Sequence, residues 1–199
     1  MSGAADHWDK VYAAGPREGL SWYEPDGGVS ARLIAEHAAP GAPVVMVGAG
    51  RSRLPGALRA SGFGDVTALD LSDAALEALA GEAAWVRCIR ADVPRWVPER
   101  RYGVWQDRAV FHFLTTPEAQ AAYRRVMVQA LAPGGIAVIG TFDEDGPERC
   151  SGLPVQRWSG AGLEQWAGAE FVPRARLRQV HVTPQGREQP FVFVVLERV

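Results

Sequence analysis

Val44-Val45-Met46-Val47-Gly48-Ala49-Gly50 is the stretch on which the fold turns. A short unbroken apolar run that empties into glycines reads as a parallel strand buried on both faces, closed by a tight turn. Residues 53–61 follow with helical character. In an open α/β sheet, ligands sit beyond the carboxyl ends of the strands, and the first strand–turn–helix commonly carries the cofactor. The chain therefore predicts a ligand crevice above Gly48 and Gly50.

Strand and helix patterns alternate outward from that stretch. Upstream, residues 6–27 hold Trp8, Tyr12, Trp22 and Tyr23 among polar residues broken by Gly15-Pro16 and Pro25-Asp26-Gly27-Gly28, too irregular for a strand and too broken for one long helix. Two readings stand for this segment: a lid over the crevice, or an aromatic anchor pinning the terminus to the core. Ser30 is expected to cap an amphipathic helix through His37 that ends at Pro40-Gly41. Downstream, residues 66–70 form a second strand ending in Asp70, and Ser72 caps a helix with Asp73 in its first turn. A third strand at 85–89 leads to Asp92 and Val93, and a fourth at 102–107 ends in Asp107. Thr116-Pro117-Glu118 starts a helix to residue 131, and Pro133-Gly134-Gly135 turns into a strand at 136–142. The remainder gives a loop at 143–152, a short helix at 163–168, and two β-rich runs at 171–182 and 191–199. Too little chain separates these two runs for a crossover helix, so they should pair antiparallel.

The chain has 199 residues, enough for one sizeable core, and one domain is expected over 1–199: an amino-terminal segment 1–29, a core 30–142 and carboxyl-terminal strands 143–199. A hydrophobic share of 47% and a charged share of 22% describe an ordinary globular chain. The net charge of -2 supplies no global positive field, so neither nucleic acid nor a membrane surface is expected as a partner. Arg174, Arg176 and Arg178, spaced by two, read as the solvent face of a strand rather than a basic patch. Neither Cys88 nor Cys150 has metal-ligand spacing, so no metal site and no disulfide framework is expected. The amino terminus lacks a signal-peptide pattern and no stretch approaches the ~20 apolar residues of a membrane span, which makes the cytoplasm the default location.

The strongest signal is a set of positions. Gly48-x-Gly50 follows strand one, Asp70 follows strand two, Asp92 follows strand three, and Pro133-Gly134-Gly135 precedes strand five. Glycines let a cofactor lie against the backbone, and a carboxylate ~20 residues further on accepts hydrogen bonds from ribose hydroxyls. Here the step from Gly48 to Asp70 is 22 residues. Asp92, one strand further along, is placed to accept from an exocyclic amine of adenine. Each element is weak alone; their succession at strand ends is not easily accidental.

With that set, the sequence resembles a class I S-adenosylmethionine-dependent methyltransferase over nearly its whole length. The resemblance implies an α/β, Rossmann-like, seven-stranded mostly parallel sheet with helices on both faces and a carboxyl-terminal antiparallel strand pair. It implies S-adenosyl-L-methionine as cofactor and S-adenosyl-L-homocysteine as product. By it, Gly48, Ala49 and Gly50 would line the methionine part, Asp70 with Leu71 would hold the ribose, Asp92 with Val93 would frame the adenine, and Asp107 with Arg108 would lie under the methyl-donating sulfur. Trp8-Asp9-x-x-Tyr12 and Trp22-Tyr23 resemble the amino-terminal lid of a bacterial branch acting on small molecules, and of related protein-lysine methyltransferases. Residues 107–114 and 146–154 resemble the same branch. Two positions depart from the family: Met46 stands where an acid usually precedes the first glycine by two, and Gly103 where an acid often follows the aromatic that opens strand four.

Individual residues carry competing readings. His112 is a base or orienting group facing the methyl acceptor, or a packed histidine with one satisfied nitrogen. Asp107, ending a central parallel strand, is expected to face the crevice; its rival role is as a partner for Arg108. Tyr23 and Cys150 are candidate acceptor contacts, although nothing but Arg149 stands beside Cys150 to activate its thiol. His181 is a surface or satisfied histidine, Trp158 and Trp166 are core or rim packing residues, and Trp158 has the rival reading of a wall of the acceptor pocket. The expected function is methyl transfer to a small molecule by a monomer or homodimer. The alternatives are a protein-lysine acceptor, a cofactor-binding domain with weak or lost activity, and a nicotinamide-dependent oxidoreductase. Against the last, the third glycine position of the dinucleotide motif falls at Arg53.

Overall fold

The computed structural model describes residues 2–199. A seven-stranded sheet runs in the order β3-β2-β1-β4-β5-β9-β8. Its strands are β1 Val44–Val47, β2 Val66–Asp70, β3 Arg87–Arg90, β4 Tyr102–Arg108, β5 Leu131–Phe142, β8 Phe171–Val182 and β9 Glu188–Arg198. All pairings up to β5 are parallel, and β9 pairs antiparallel with both β5 and β8. The last strand thus inserts between the fifth and the eighth. A separate two-stranded hairpin joins β6 Arg149–Cys150 to β7 Leu153–Pro154.

Helices cover both faces, and strand parity decides which side each residue serves. Val44 and Met46 of β1 pack with α2 (Gly28–His37), α3 (Leu54–Ala60) and α4 (Asp73–Glu82). Val45 and Val47 pack with α5 (Pro117–Ala130) and α6 (Gly160–Ala167). In β4 the same alternation sends Val104 to the α2 side and Trp105 to the α5 side. The α4 and α5 caps follow the sequence: Ser72 Oγ accepts from Ala75 N–H and Thr116 Oγ1 from Ala119 N–H, with Pro117 in the first turn.

Three local expectations are corrected. The segment 6–27 contains a regular helix, α1 Ser2–Ala13, followed by a 3-10 turn at Arg17–Gly19. Ser30 is not a cap: α2 begins two residues earlier behind Gly27, and Ser30 is buried inside the helix, its hydroxyl accepting from Gln106 Nε2 at 3.3 Å. The third strand starts at Arg87, two residues later than expected. Gly103, a departure from the family pattern, has a steric cause: a Cβ there would come 2.7 Å from the Ala42 Cβ, where the Pro43 carbonyl accepts from both Gly103 and Val104 N–H. Arg174, Arg176 and Arg178 are each paired with acids on neighbouring elements, Glu197, Glu164, and Asp143 with Asp145.

Under α5 a buried chain of hydrogen bonds fixes the fourth strand. Trp105 Nε1 donates to Tyr123 Oη at 2.8 Å, and Tyr123 Oη donates to Asp107 Oδ2 at 2.6 Å. All three side chains are fully buried. Removing the phenol oxygen leaves an indole N–H and a carboxylate without their partner, which costs ~2–3 kcal/mol. At this chain length that is a fall in Tm of ~5–10 °C. Tyr123→Phe is therefore expected to retain the fold and unfold at a clearly lower temperature by calorimetry; an unchanged Tm would show that the chain of bonds carries no stability.

Candidate active site

The crevice begins at the turn after β1. Gly48 and Gly50 both take left-handed backbone, with φ of +59° and +52°. A Cβ on Gly48 would lie 2.0 Å from Val110 Cγ2, and one on Gly50 2.4 Å from Tyr12 Oη. The turn is held by Asp70 at the end of β2: its Oδ2 accepts from Gly50 N–H at 2.7 Å and its Oδ1 from Ser72 N–H at 2.9 Å. Burial raises the pKa of this carboxyl, opposed by those backbone donors. Each oxygen keeps lone-pair capacity for a further donor.

A cavity of about 330 Å³ opens over this turn. Gly48, Asp70, Leu71, Asp92 and Val93 line it from the strand ends, and Arg108, Ala109, Val110 and Phe113 from the end of β4. Trp8, Tyr12 and Trp22 complete it from the amino-terminal segment, and Cys150 and Leu153 from the small hairpin. Four aromatic pairs knit this enclosure: Trp8 with Phe113 at 5.3 Å between centroids, Trp8 with Trp22 at 6.1 Å, Tyr12 with Trp22 at 6.2 Å, and Trp8 with Tyr12 at 6.3 Å. The segment is also tied down by polar contacts. Ser72 Oγ donates to Asp9 of α1 while capping α4, Arg108 Nη1 donates to the Trp22 carbonyl at 2.8 Å, and His181 Nε2 meets the Ser21 carbonyl at 2.8 Å. Lid and anchor are thus one structure.

Several expected residues stand elsewhere. Asp107 does not face the cavity. It points under α5, fully buried, accepting from Tyr123 Oη and from Val110 and Phe111 N–H, and it does not pair with Arg108. Asp107 and Trp105 share one face of β4, and Arg108 is sent to the other. His112 does not line the cavity either. Its ring is enclosed by Phe113 and Phe142, and neither nitrogen has a hydrogen-bond partner among the described residues, which departs from both expectations for it. Cys150 reaches the cavity, where burial pushes its thiol up to about 11 and disfavours the thiolate. Ala49 and Tyr23 line a second, smaller cavity that adjoins the first at Trp22, Gly48 and Arg108. Gly50 lines neither cavity directly; it lies behind Tyr12 and Asp70. Met46 is buried in the floor of the smaller cavity, packed with the α2-side core. Glu24 and Arg51, which also line it, carried no sequence signal, since nothing in their local pattern distinguishes them from solvent-facing charges.

No family model matches the chain, and no curated protein matches its sequence. Solved structures match its fold. A SAM-dependent methyltransferase from Anabaena variabilis aligns over 100% of this chain and 94% of its own, with a TM-score of 0.76 at 16% identity. The 1,6-didemethyltoxoflavin-N1-methyltransferase of Burkholderia thailandensis, solved with 1,6-didemethyltoxoflavin and S-adenosylhomocysteine bound, aligns over 88% of this chain and 79% of its own, with a TM-score of 0.73 at 23% identity. The [4+2]-cyclase SpnF aligns over 98% and 95%, with a TM-score of 0.71 at 15% identity. The chain has the Rossmann-like methyltransferase fold. At these identities the likeness is one of fold, and the cyclase shows that the fold carries more than one reaction.

The buried His112 gives a pH-dependent signature. Burial and the Arg108 charge push its imidazole down to about 3, whereas an unfolded chain protonates it near its ordinary 6.5. Between these values the unfolded state binds more protons, so this residue's contribution is lost as pH falls through the window. Asp107 acts in the opposite sense: burial pushes its carboxyl up to about 7, so the folded state holds the extra proton and stability declines as pH rises from about 4 toward 7. His112→Leu is expected to flatten the loss of Tm below pH 6.5 and to leave Tm at pH 7 within ~3 °C of the parent, since it removes two unsatisfied nitrogens from the interior. An equal drop in Tm at every pH would show that the ring makes a stabilising polar contact.

Proposed function

We propose that this protein is an S-adenosylmethionine-dependent methyltransferase acting on a small, largely apolar acceptor. The observation that carries this reading is the succession of Gly48, Asp70 and Asp92 along one cavity at the carboxyl ends of β1, β2 and β3. The residues fit the cofactor. Asp70 has acceptor capacity left for ribose hydroxyls, Gly48 keeps a cradle that any side chain would fill, and Asp92 with Val93 and Leu71 bounds a slot for a flat base. When bound, the cofactor supplies an activated methyl on a sulfonium sulfur.

The protein's own contribution is placement. Trp8, Tyr12, Trp22 and Phe113 exclude water and offer aromatic faces to a cationic sulfur, which binds such faces better than a neutral thioether does. The glycine turn and Arg108 fix the approach line, and in-line alignment of a bound acceptor accounts for the rate without a strong base. Neither Asp107 nor His112 is within the cavity, so their part is support of the β4 end: Asp107 holds the Val110 and Phe111 amides, and His112 packs behind Phe113. Cys150, Leu153, Phe113 and Leu114 leave an apolar wall for the acceptor. A protein-lysine acceptor fits less well, because Cys150, Leu153, Phe113 and Leu114 give that wall no carboxylate to meet an ammonium. The chain has no helix long and apolar enough to cross a membrane among its described residues.

Calorimetric titration tests this reading. S-adenosylhomocysteine is expected to bind saturably, NAD is not, and Asp70→Ala is expected to lose the binding while still melting cooperatively. Preference for NAD, or no binding of S-adenosylhomocysteine by the parent protein, would refute it.

A further inference from the structure

The smaller cavity, of about 60 Å³, opens off the main one at Gly48 and Arg108, and its charges are unevenly met. Four arginines line it: Arg17 and Arg53 are paired with Glu82 and Glu18 outside it, whereas Arg51 and Arg108 each keep a buried Nε that has no partner among the described residues. Met46 gives it an uncharged floor, and Glu24 is the one carboxylate among its described lining residues. That carboxylate is only 16% exposed and accepts no hydrogen bond from any described residue; its closest cation is Arg108 Nη2, at 3.4 Å. Gly28 makes room for it, since a Cβ there would lie 2.4 Å from Glu24 Oε1. Burial raises the pKa of this group, and the Arg108 charge offsets that only in part. A largely buried carboxylate whose nearest cation stands at 3.4 Å keeps acceptor capacity for a further donor. One carboxylate facing guanidinium groups across a space this small suits a zwitterionic amino-acid end.

We propose that Glu24 receives the α-ammonium of the cofactor's amino-acid end, with Arg51 and Arg108 flanking its α-carboxylate. The amino-terminal segment then supplies, across the cavity, the negative charge that β1 lacks at Met46. This assignment rests on the reading of the crevice as an adenosylmethionine site. It also gives the segment a ligand-dependent reason to stay closed, because Glu24 lies two residues from Trp22, whose carbonyl Arg108 already holds.

The test compares ligands that differ only in that end. S-adenosylhomocysteine, its analogue lacking the α-amino group, and 5′-methylthioadenosine, lacking the whole amino-acid end, are titrated into the parent protein and into Glu24→Gln. Loss of one charge-assisted contact is worth about tenfold in affinity. The parent is expected to prefer S-adenosylhomocysteine over the desamino analogue by about tenfold or more. Glu24→Gln is expected to lose about tenfold for S-adenosylhomocysteine alone, so that the preference disappears. Unchanged 5′-methylthioadenosine binding shows that the crevice is intact. If the preference survives in Glu24→Gln, or all three ligands weaken together, the assignment is overturned while the cofactor reading stands. If the parent binds no S-adenosylhomocysteine, the cofactor reading itself falls and takes the assignment with it.

Discussion

The Asp70 carboxylate is the constraint on which the site depends. By accepting from Gly50 N–H and Ser72 N–H it joins the turn after β1 to the start of α4, two elements that the chain separates by a strand and a helix. The turn it holds requires left-handed backbone at two positions, which glycine adopts without the penalty a side chain would incur. A buried carboxylate is expensive unless it is hydrogen-bonded. Here the backbone donors that satisfy it also hold the turn whose Gly48 lines the cavity beside Asp70 itself, so stability of the turn and shape of the site are one property.

The enclosure above that floor is built by distant parts of the chain. The α1 helix is fastened through Asp9 to the Ser72 cap, the very residue whose amide Asp70 accepts from. The segment after it is held by three carbonyls: Gly19 accepts from Gln185, Ser21 meets His181, and Trp22 accepts from Arg108. Two of these partners come from the carboxyl-terminal strand pair and the turn between its strands. Insertion of β9 between β5 and β8 places that pair beside β5, within reach of the amino-terminal segment. The sheet order is thus tied to closure of the cavity as well as to the core.

Much of this was legible in the chain because the signals are local. Val44–Val47 with its glycines, the Ser72 and Thr116 caps and Pro117 each act through the adjacent backbone, and each element appears where its signal lies. What was not legible depends on tertiary contact. The α1 helix carries no acid in its first turn and docks through its aromatic residues and Asp9, and the Gly15-Pro16 break that follows it made the whole of residues 6–27 resemble a loop. Ser30 looked like a cap but bonds Gln106 on a strand 76 residues away. The direction of Asp107 was fixed by pleat parity: counting from Trp105 sends it under α5, and counting from Gln106 sends Arg108 toward the cavities. Topology alone names the strand end, and parity chooses which of the two neighbouring side chains meets a ligand. Glu24 belongs to neither kind of signal, since only the folded chain brings it beside Gly48 and Met46.

A crystal structure of the protein grown with S-adenosylhomocysteine tests the central claim most directly. The account predicts both ribose hydroxyls donating to Asp70 while Gly50 N–H keeps its bond to the same carboxylate, with the adenine beside Asp92 and Val93. A nucleoside bound away from Asp70, or an Asp70 that releases the glycine turn to accommodate it, would contradict the account.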